Sequence, residues 1–294
     1  MKKISGIIVL VLCYSGLIYP QCNSFVATDY TRGKVFVFEN GEIVWEHNAP
    51  SSNDVWMLDN GNLLFTVGNG VLEVTRTYDT VFHYTSKSMI FACQRLKNGN
   101  TFVGECNSGR LLEITPKGKI IKEICILPEG INDGGKPFIR NARRLDNGNY
   151  LVAHYGGKKA VEYDAKGKVV WSVPVPGGAH SVIRLSNGNT IVAETDAVKN
   201  PRVLEFNKKG DLVWELSNND LQGEPLKFVS GMQYIPGTGL YFTNWQGHGT
   251  NEKKPFLFLV NRDKQIVCSF PACEGIESFS SVYFPQKKGA KVYH

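Results

Sequence analysis

Four copies of one phrase constrain this chain more than any other feature: Leu58-Asp-Asn-Gly-Asn62, Leu96-Lys-Asn-Gly-Asn100, Leu145-Asp-Asn-Gly-Asn149 and Leu185-Ser-Asn-Gly-Asn189. Asn-Gly between alternating apolar runs marks a hairpin, because both residues tolerate the positive backbone angles of a tight primed turn. Each phrase therefore predicts a strand, a turn and a second strand. Another pair follows it, as in 202–216 and 160–171, where two apolar runs flank a Gly turn. The repeating unit is thus four antiparallel strands, one blade of a β-propeller.

Two weaker copies, Ile235-Pro-Gly-Thr-Gly239 and Phe284-Pro-Gln-Lys-Lys-Gly289, extend the marker glycines to 61, 99, 148, 188, 239 and 289, which are 38 to 51 residues apart. These are blade lengths. The sequence thus predicts an all-β, six-bladed propeller, with a sandwich as the alternative that regular strand spacing also permits. The last marker lies too near residue 294 to complete a blade, and 25–47 reads as the outer part of a blade with no phrase before it. N- and C-terminal segments are therefore expected to share the sixth blade, which removes free sheet edges. Val26 to Asp29 and Lys291 to Tyr293 compete for its second-strand place, so a one-plus-three and a two-plus-two split both stay open.

The continuous repeat argues for a single propeller domain over 23–294, preceded by a signal peptide over 1–22. Met1-Lys-Lys followed by apolar Ile4 to Ile18 gives the charged and hydrophobic regions of a secretory leader, and the apolar stretch is too short to span a bilayer comfortably. No transmembrane segment is expected in the mature chain, and the location implied is the periplasm or envelope of a Gram-negative bacterium. Cys22 stands where a lipid anchor could be attached. Export permits disulfides. Cys268 and Cys273 could staple one connection, and Cys93, Cys106 and Cys125 read as small buried strand residues. A net charge of +6 spread through turns, with no basic cluster among aromatics, argues against nucleic acid as a partner.

One face of a propeller gathers the starts of the innermost strands and the ends of the second strands, so polar side chains from separate repeats meet there. Alignment on the phrases puts Asn53, Asp54, Gln94, Arg140, Asn141 and His180 at the first kind of place. Asp29, Tyr30, Glu105, His154, Tyr155, Glu194, Asn244 and Trp245 fall at the second, and His248 in the loop that follows. Such a mouth suits a small polar ligand or glycan: Arg140 could fork a carboxylate or sulfate, amides and acids could bond hydroxyls, and Tyr30, Tyr155 or Trp245 could stack on a sugar ring. His180 and His154, with Glu105 or Glu194 near, could move protons or hold a metal, although no local metal-ligand spacing is present and no cofactor is indicated. No Gly-x-Ser-x-Gly elbow, phosphate loop or dinucleotide fingerprint occurs.

At Asn53-Asp-Val-Trp-Met-Leu-Asp-Asn-Gly-Asn62 and His180-Ser-Val-Ile-Arg-Leu-Ser-Asn-Gly-Asn189 the chain resembles the exported propellers of the arylsulfotransferase-like and quinoprotein-like repeat group, and the uncharacterised six-bladed propellers of gut Bacteroidetes. The resemblance implies the six-bladed fold from Phe25 onward and, for arylsulfotransferases, a channel histidine as sulfate acceptor. His180 falls on that histidine's place, Asn53 stands where a second is expected, and the other blades offer Ala92 or Gly231. Three functions follow as expectations: a ligand-binding module of the envelope, a glycan-active lyase or hydrolase (or sulfotransferase-like enzyme) using His180, His154 and Arg140, or a protein-interaction platform.

Overall fold

The computed structural model describes residues 20–127, 138–195, 200–221, 223, 226–247, 254–287 and 290–294. Among them the strands form six antiparallel sheets of four, each packed on the next around a ring. Blades 1 to 5 span 55–85, 90–125, 139–174, 178–216 and 229–270, each running outward in chain order. Blade 6 takes its innermost strand from Ser281–Tyr283 and its other three from Phe25–Asp29, Lys34–Glu39 and Glu42–Asn48.

The closure is therefore one strand plus three. Phe25–Asp29 holds the second-strand place, pairing Val26 with Tyr283 and Thr28 with Ser281. The competing segment goes elsewhere: Tyr293 bridges to Tyr234 in the innermost strand of blade 5, and His294 enters the channel. The expected leader lies almost wholly outside the described residues, as do His248 and Gly289. No helix of the described residues is long and apolar enough to cross a membrane.

The hairpins differ in detail from the primed turn that Asn-Gly suggests. Gly61, Gly99, Gly148 and Gly188 have φ of 82°, 84°, 95° and 89°, whereas the preceding asparagines do not adopt positive φ. Each is a three-residue loop with Gly alone in the left-handed position. The first Asn instead uses its side chain: Asn60, Asn98, Asn147 and Asn187 accept from the backbone N–H two residues on, at 2.9–3.0 Å.

The last Asn of the phrase reaches outward. Asn62, Asn100, Asn149 and Asn189 donate to Glu73, Glu113, Glu162 and Glu205 on the third strand of their own blade, at 2.6–2.8 Å. Arginines of the following blade close on three of these carboxylates: Arg95 on Glu73, Arg184 on Glu162 and Arg262 on Glu205. The phrase thus fixes its hairpin and joins neighbouring blades.

The rest of the cohesion is apolar. Alternating strand residues interlock between blades, each large side chain contributing roughly 1.5–3 kcal/mol. Where blade 6 meets blade 5, Phe25, Phe38, Phe270 and Phe279 pack with ring centroids 4.6–5.8 Å apart. A disulfide joins Cys22, just before blade 6, to Cys268 on the outermost strand of blade 5. Cys268 is therefore not stapled to Cys273. Cys93 and Cys106 are buried as expected, but Cys125 is exposed at its strand end.

Candidate functional site

The starts of the innermost strands carry a repeated irregularity that aims side chains into the channel mouth. In blade 2 the ladder steps from Ile90 to Ala92, in blade 3 from Ile139 to Asn141, in blade 4 from Ala179 to Ser181. Phe91, Arg140 and His180 are the extra residues. A bulge leaves its extra residue unpaired and turns its side chain out of the pleat. In blade 5 the step from Val229 to Met232 leaves Ser230 and Gly231 unpaired. The register makes Asn53, Phe91, Arg140, His180 and Ser230 equivalent, so Phe91 and Ser230 hold these places rather than Ala92 and Gly231.

The second strands sort by parity, since successive side chains point to opposite faces. Asp29, Glu105, His154, Glu194 and Asn244 turn into the blades, are buried, and are engaged there. Asp29 accepts from the backbone of Thr31, Arg32, Glu277 and Ser278. Burial raises its pKa against those bonds. Glu105 bonds Ser86, Ser108 and Arg110, Glu194 pairs with Arg202 at 2.9 Å, and Asn244 accepts from the Lys227 and Phe228 backbone. His154 meets the Tyr163 hydroxyl at 2.7 Å, and burial pushes its pKa down to about 3. The next residue along faces the mouth: Tyr30, Tyr155 and Trp245. Tyr155 fits only because residue 178 is glycine, where a Cβ would stand 2.5 Å from its ring.

What converges is a cavity of about 140 Å³ lined by Tyr30, Arg140, His180, Ser230, Trp245 and Ser280. The Arg140 guanidinium lies 4.5 Å from the Phe91 ring centre and 5.9 Å from those of Tyr30 and Tyr155. Its Nε donates to His180 Nε2 at 3.0 Å. Arginine has no lone pair to offer, so Nε2 is the acceptor, the ring is neutral and its proton sits on Nδ1. Burial, and then the Arg140 charge, hold the His180 pKa well below its usual value. Among the described residues no carboxylate pairs with Arg140, and burial lowers its pKa too.

Beneath the mouth the channel is filled. Arg143 donates to both oxygens of Asp54 at 2.7 and 2.9 Å and to the His294 backbone oxygen at 2.8 Å. The Asn141 amide oxygen accepts from both Arg143 Nη atoms at 3.1–3.2 Å. His294 places Nε2 3.3 Å from Asp54. Burial alone would raise the Asp54 pKa; Arg143 and His294 reverse this and lower it. Gln94 clamps the backbone of Arg144. Asp54, Asn141 and Gln94 therefore spend their polar groups within the fold. Asn53 borders the narrow space between the two levels.

A wider groove of about 760 Å³ lies between blades 1 and 2 around Ser86, Glu105 and Arg110. Its buried carboxylate, Glu105, is satisfied by the contacts above, so the smaller mouth is the better candidate. Among the described residues no three His, Cys, Asp or Glu side chains group as metal ligands.

A likeness to known proteins accompanies this geometry. Residues 135–242 match the family model described as outer membrane protein assembly factor BamB. That is less than half of the chain. No curated protein is detectably similar in sequence. Among solved structures, a protein of unknown function from Bacteroides caccae superposes with a TM-score of 0.78 at 24% identity, covering 88% of this chain and 97% of that one. A streptogramin B lyase gives 0.58 at 14% identity over 88% and 87%. A catalytically inactive histidine-to-alanine variant of the Staphylococcus aureus virginiamycin B lyase, with quinupristin, gives 0.56 at 16% over 87% of each chain. At these identities the likeness is one of fold.

Proposed function

We propose that this propeller is an exported binding module that holds a polar, anionic ligand, such as an acidic carbohydrate, at its channel mouth. The observation that carries this is Arg140: a guanidinium walled by aromatic rings which, among the described residues, has no carboxylate partner and leaves its terminal Nη1 and Nη2 groups unspent. A cation that is desolvated but not neutralised is costly to the fold, and an incoming anion removes the cost. The cavity admits an anionic group rather than a whole sugar, so the body of the ligand lies above it, against Tyr30, Tyr155 and Trp245. The leader-like start of the sequence and the Cys22–Cys268 bond favour an oxidising location outside the cytoplasm.

Binding is preferred over catalysis for a specific reason. A general base needs a free lone pair aimed at its proton, whereas His180 Nε2 already accepts from Arg140 and Nδ1 carries the proton. The same occupancy argues against a sulfate-accepting role. Titration calorimetry with glucuronate and with sulfated monosaccharides tests the reading. Arg140→Met is expected to lose at least tenfold in affinity, and equal affinity in both proteins would refute it.

A further inference from the structure

The contact between Arg140 and His180 does more than brace a side chain. By occupying Nε, His180 leaves only the Nη1 and Nη2 end of the guanidinium for a ligand, so an oxyanion approaches end-on. A bound anion then stands beside a histidine whose only charged neighbour at the mouth, among the described residues, is the arginine being neutralised. The titratable groups around His180 among the described residues are Arg140, Tyr30 and Tyr155 at the mouth, and Arg143, Asp54 and His294 beneath it. Arg143 and Asp54 neutralise each other at 2.7 Å. The uncharged neighbours are Phe228, at 5.4 Å between ring centroids, Ser181, Ser230 and Trp245.

We propose that His180 is the positioning residue of this site and that an oxyanion bound to Arg140 draws one proton from solvent onto the His180 ring. This rests on the anion-binding reading given above. Proton and charge balance simply: Nε2 gains the proton, stops accepting from Arg140 Nε–H, and becomes a second donor to the anion. Without ligand, protonation would set two cations 3.0 Å apart in a buried site, which Coulomb repulsion opposes. With ligand, the anion lies between them. Linkage makes the effect reciprocal: if the anion favours the proton, the proton favours the anion, so binding tightens as pH falls.

The test uses the whole exported chain and two probes whose own charge is constant from pH 5 to 8, methanesulfonate and glucuronate. One arm asks whether a sulfonate suffices, the other whether a carboxylate does. Affinity is measured by calorimetry at each pH in two buffers of different ionisation enthalpy, which gives the protons taken up per ligand, with circular dichroism confirming the folded state throughout. The expected result is a steepening toward about tenfold tighter binding per unit fall in pH, with uptake approaching one proton. His180→Ala is expected to weaken binding at every pH. His180→Gln, whose amide oxygen still accepts Nε–H, should recover most of the affinity above pH 7 but none of the pH dependence. A pH-independent affinity in the wild-type chain, or a slope that survives in His180→Gln, overturns this inference alone. Failure of both probes to bind at any pH overturns the anion-binding reading and this inference with it.

Discussion

Two arginines three residues apart show how differently one side chain can be used. Arg143 is matched: Asp54, Asn141 and the His294 backbone take its donors. Arg140 has, among the described residues, one neutral acceptor. Removing a matched partner strands a buried charge, so Arg143→Met is expected to cost about 3–5 kcal/mol in chemical denaturation. Arg140→Met removes a cation that no described residue neutralises, and is expected to unfold at the same temperature or higher. A large loss of stability in Arg140→Met would mean that the arginine is structural. His154 separates structure from chemistry in the same way. Its folded pKa of about 3 lies below the ordinary value near 6.5, so the neutral ring's contribution is complete above pH 6.5. It is lost as pH falls toward 3, at about 1.4 kcal/mol per pH unit. His154→Gln, which can keep a bond to Tyr163, is expected to flatten stability against pH between 6.5 and 4 by close to one proton.

At the level of the strand, the phrase that gives away the fold also holds the blades together, by a route its letters do not show. The turn was legible because Gly in a left-handed position is a local requirement; the carboxylate met by its last Asn is 11 to 16 residues away, and the arginine comes from the next blade. Glu162, buried and bonded to Asn147, Asn149 and Arg184, is expected to cost about 2–3 kcal/mol when changed to Ala. Glu113, more exposed and bonded to Asn98 and Asn100, should cost about 1 kcal/mol. Equal losses would show that the arginine contributes nothing. The site was legible to the same degree as the turn. Spacing found the right places on both strands but not which of two adjacent residues faces the channel. A bulge decides this on the innermost strands, and bulges leave no mark in apolar alternation. Parity decides it on the second strands, where Asp29, Glu105, His154, Glu194 and Asn244 turn away and Tyr30, Tyr155 and Trp245 turn in. Phe91, which walls Arg140, is not legible as a site residue, because an apolar residue at a strand start gives no chemical signal.

For the molecule as a whole, a ring is only as stable as its closure, because opening one seam exposes two sheet faces at once. Three devices share that seam: the one-plus-three strand exchange, the phenylalanine cluster, and the Cys22–Cys268 bond. The sequence announced the first through its incomplete terminal blades, and could not announce the third, because cysteines 246 residues apart give no local pattern. The bond bears on processing. It requires Cys22 in the mature chain, so a leader cut after residue 22 would delete it, and a Cys22 sulfur held in a disulfide has no valence left for a lipid thioether. Intact-mass measurement of the exported protein, with and without reductant, is expected to show Cys22 present, unmodified by lipid and oxidised. A chain beginning after Cys22, or one carrying lipid there, would exclude the bond. In a long loop such a cross-link stabilises chiefly by restricting the unfolded chain, so Cys22→Ser is expected to lose about 2–4 kcal/mol. Since Cys268 lies on the outermost strand of blade 5 and Arg140 on the innermost strand of blade 3, anion affinity should stay as it is while stability falls. A parallel loss of affinity would mean that the seam, and not only the bulges, positions the mouth.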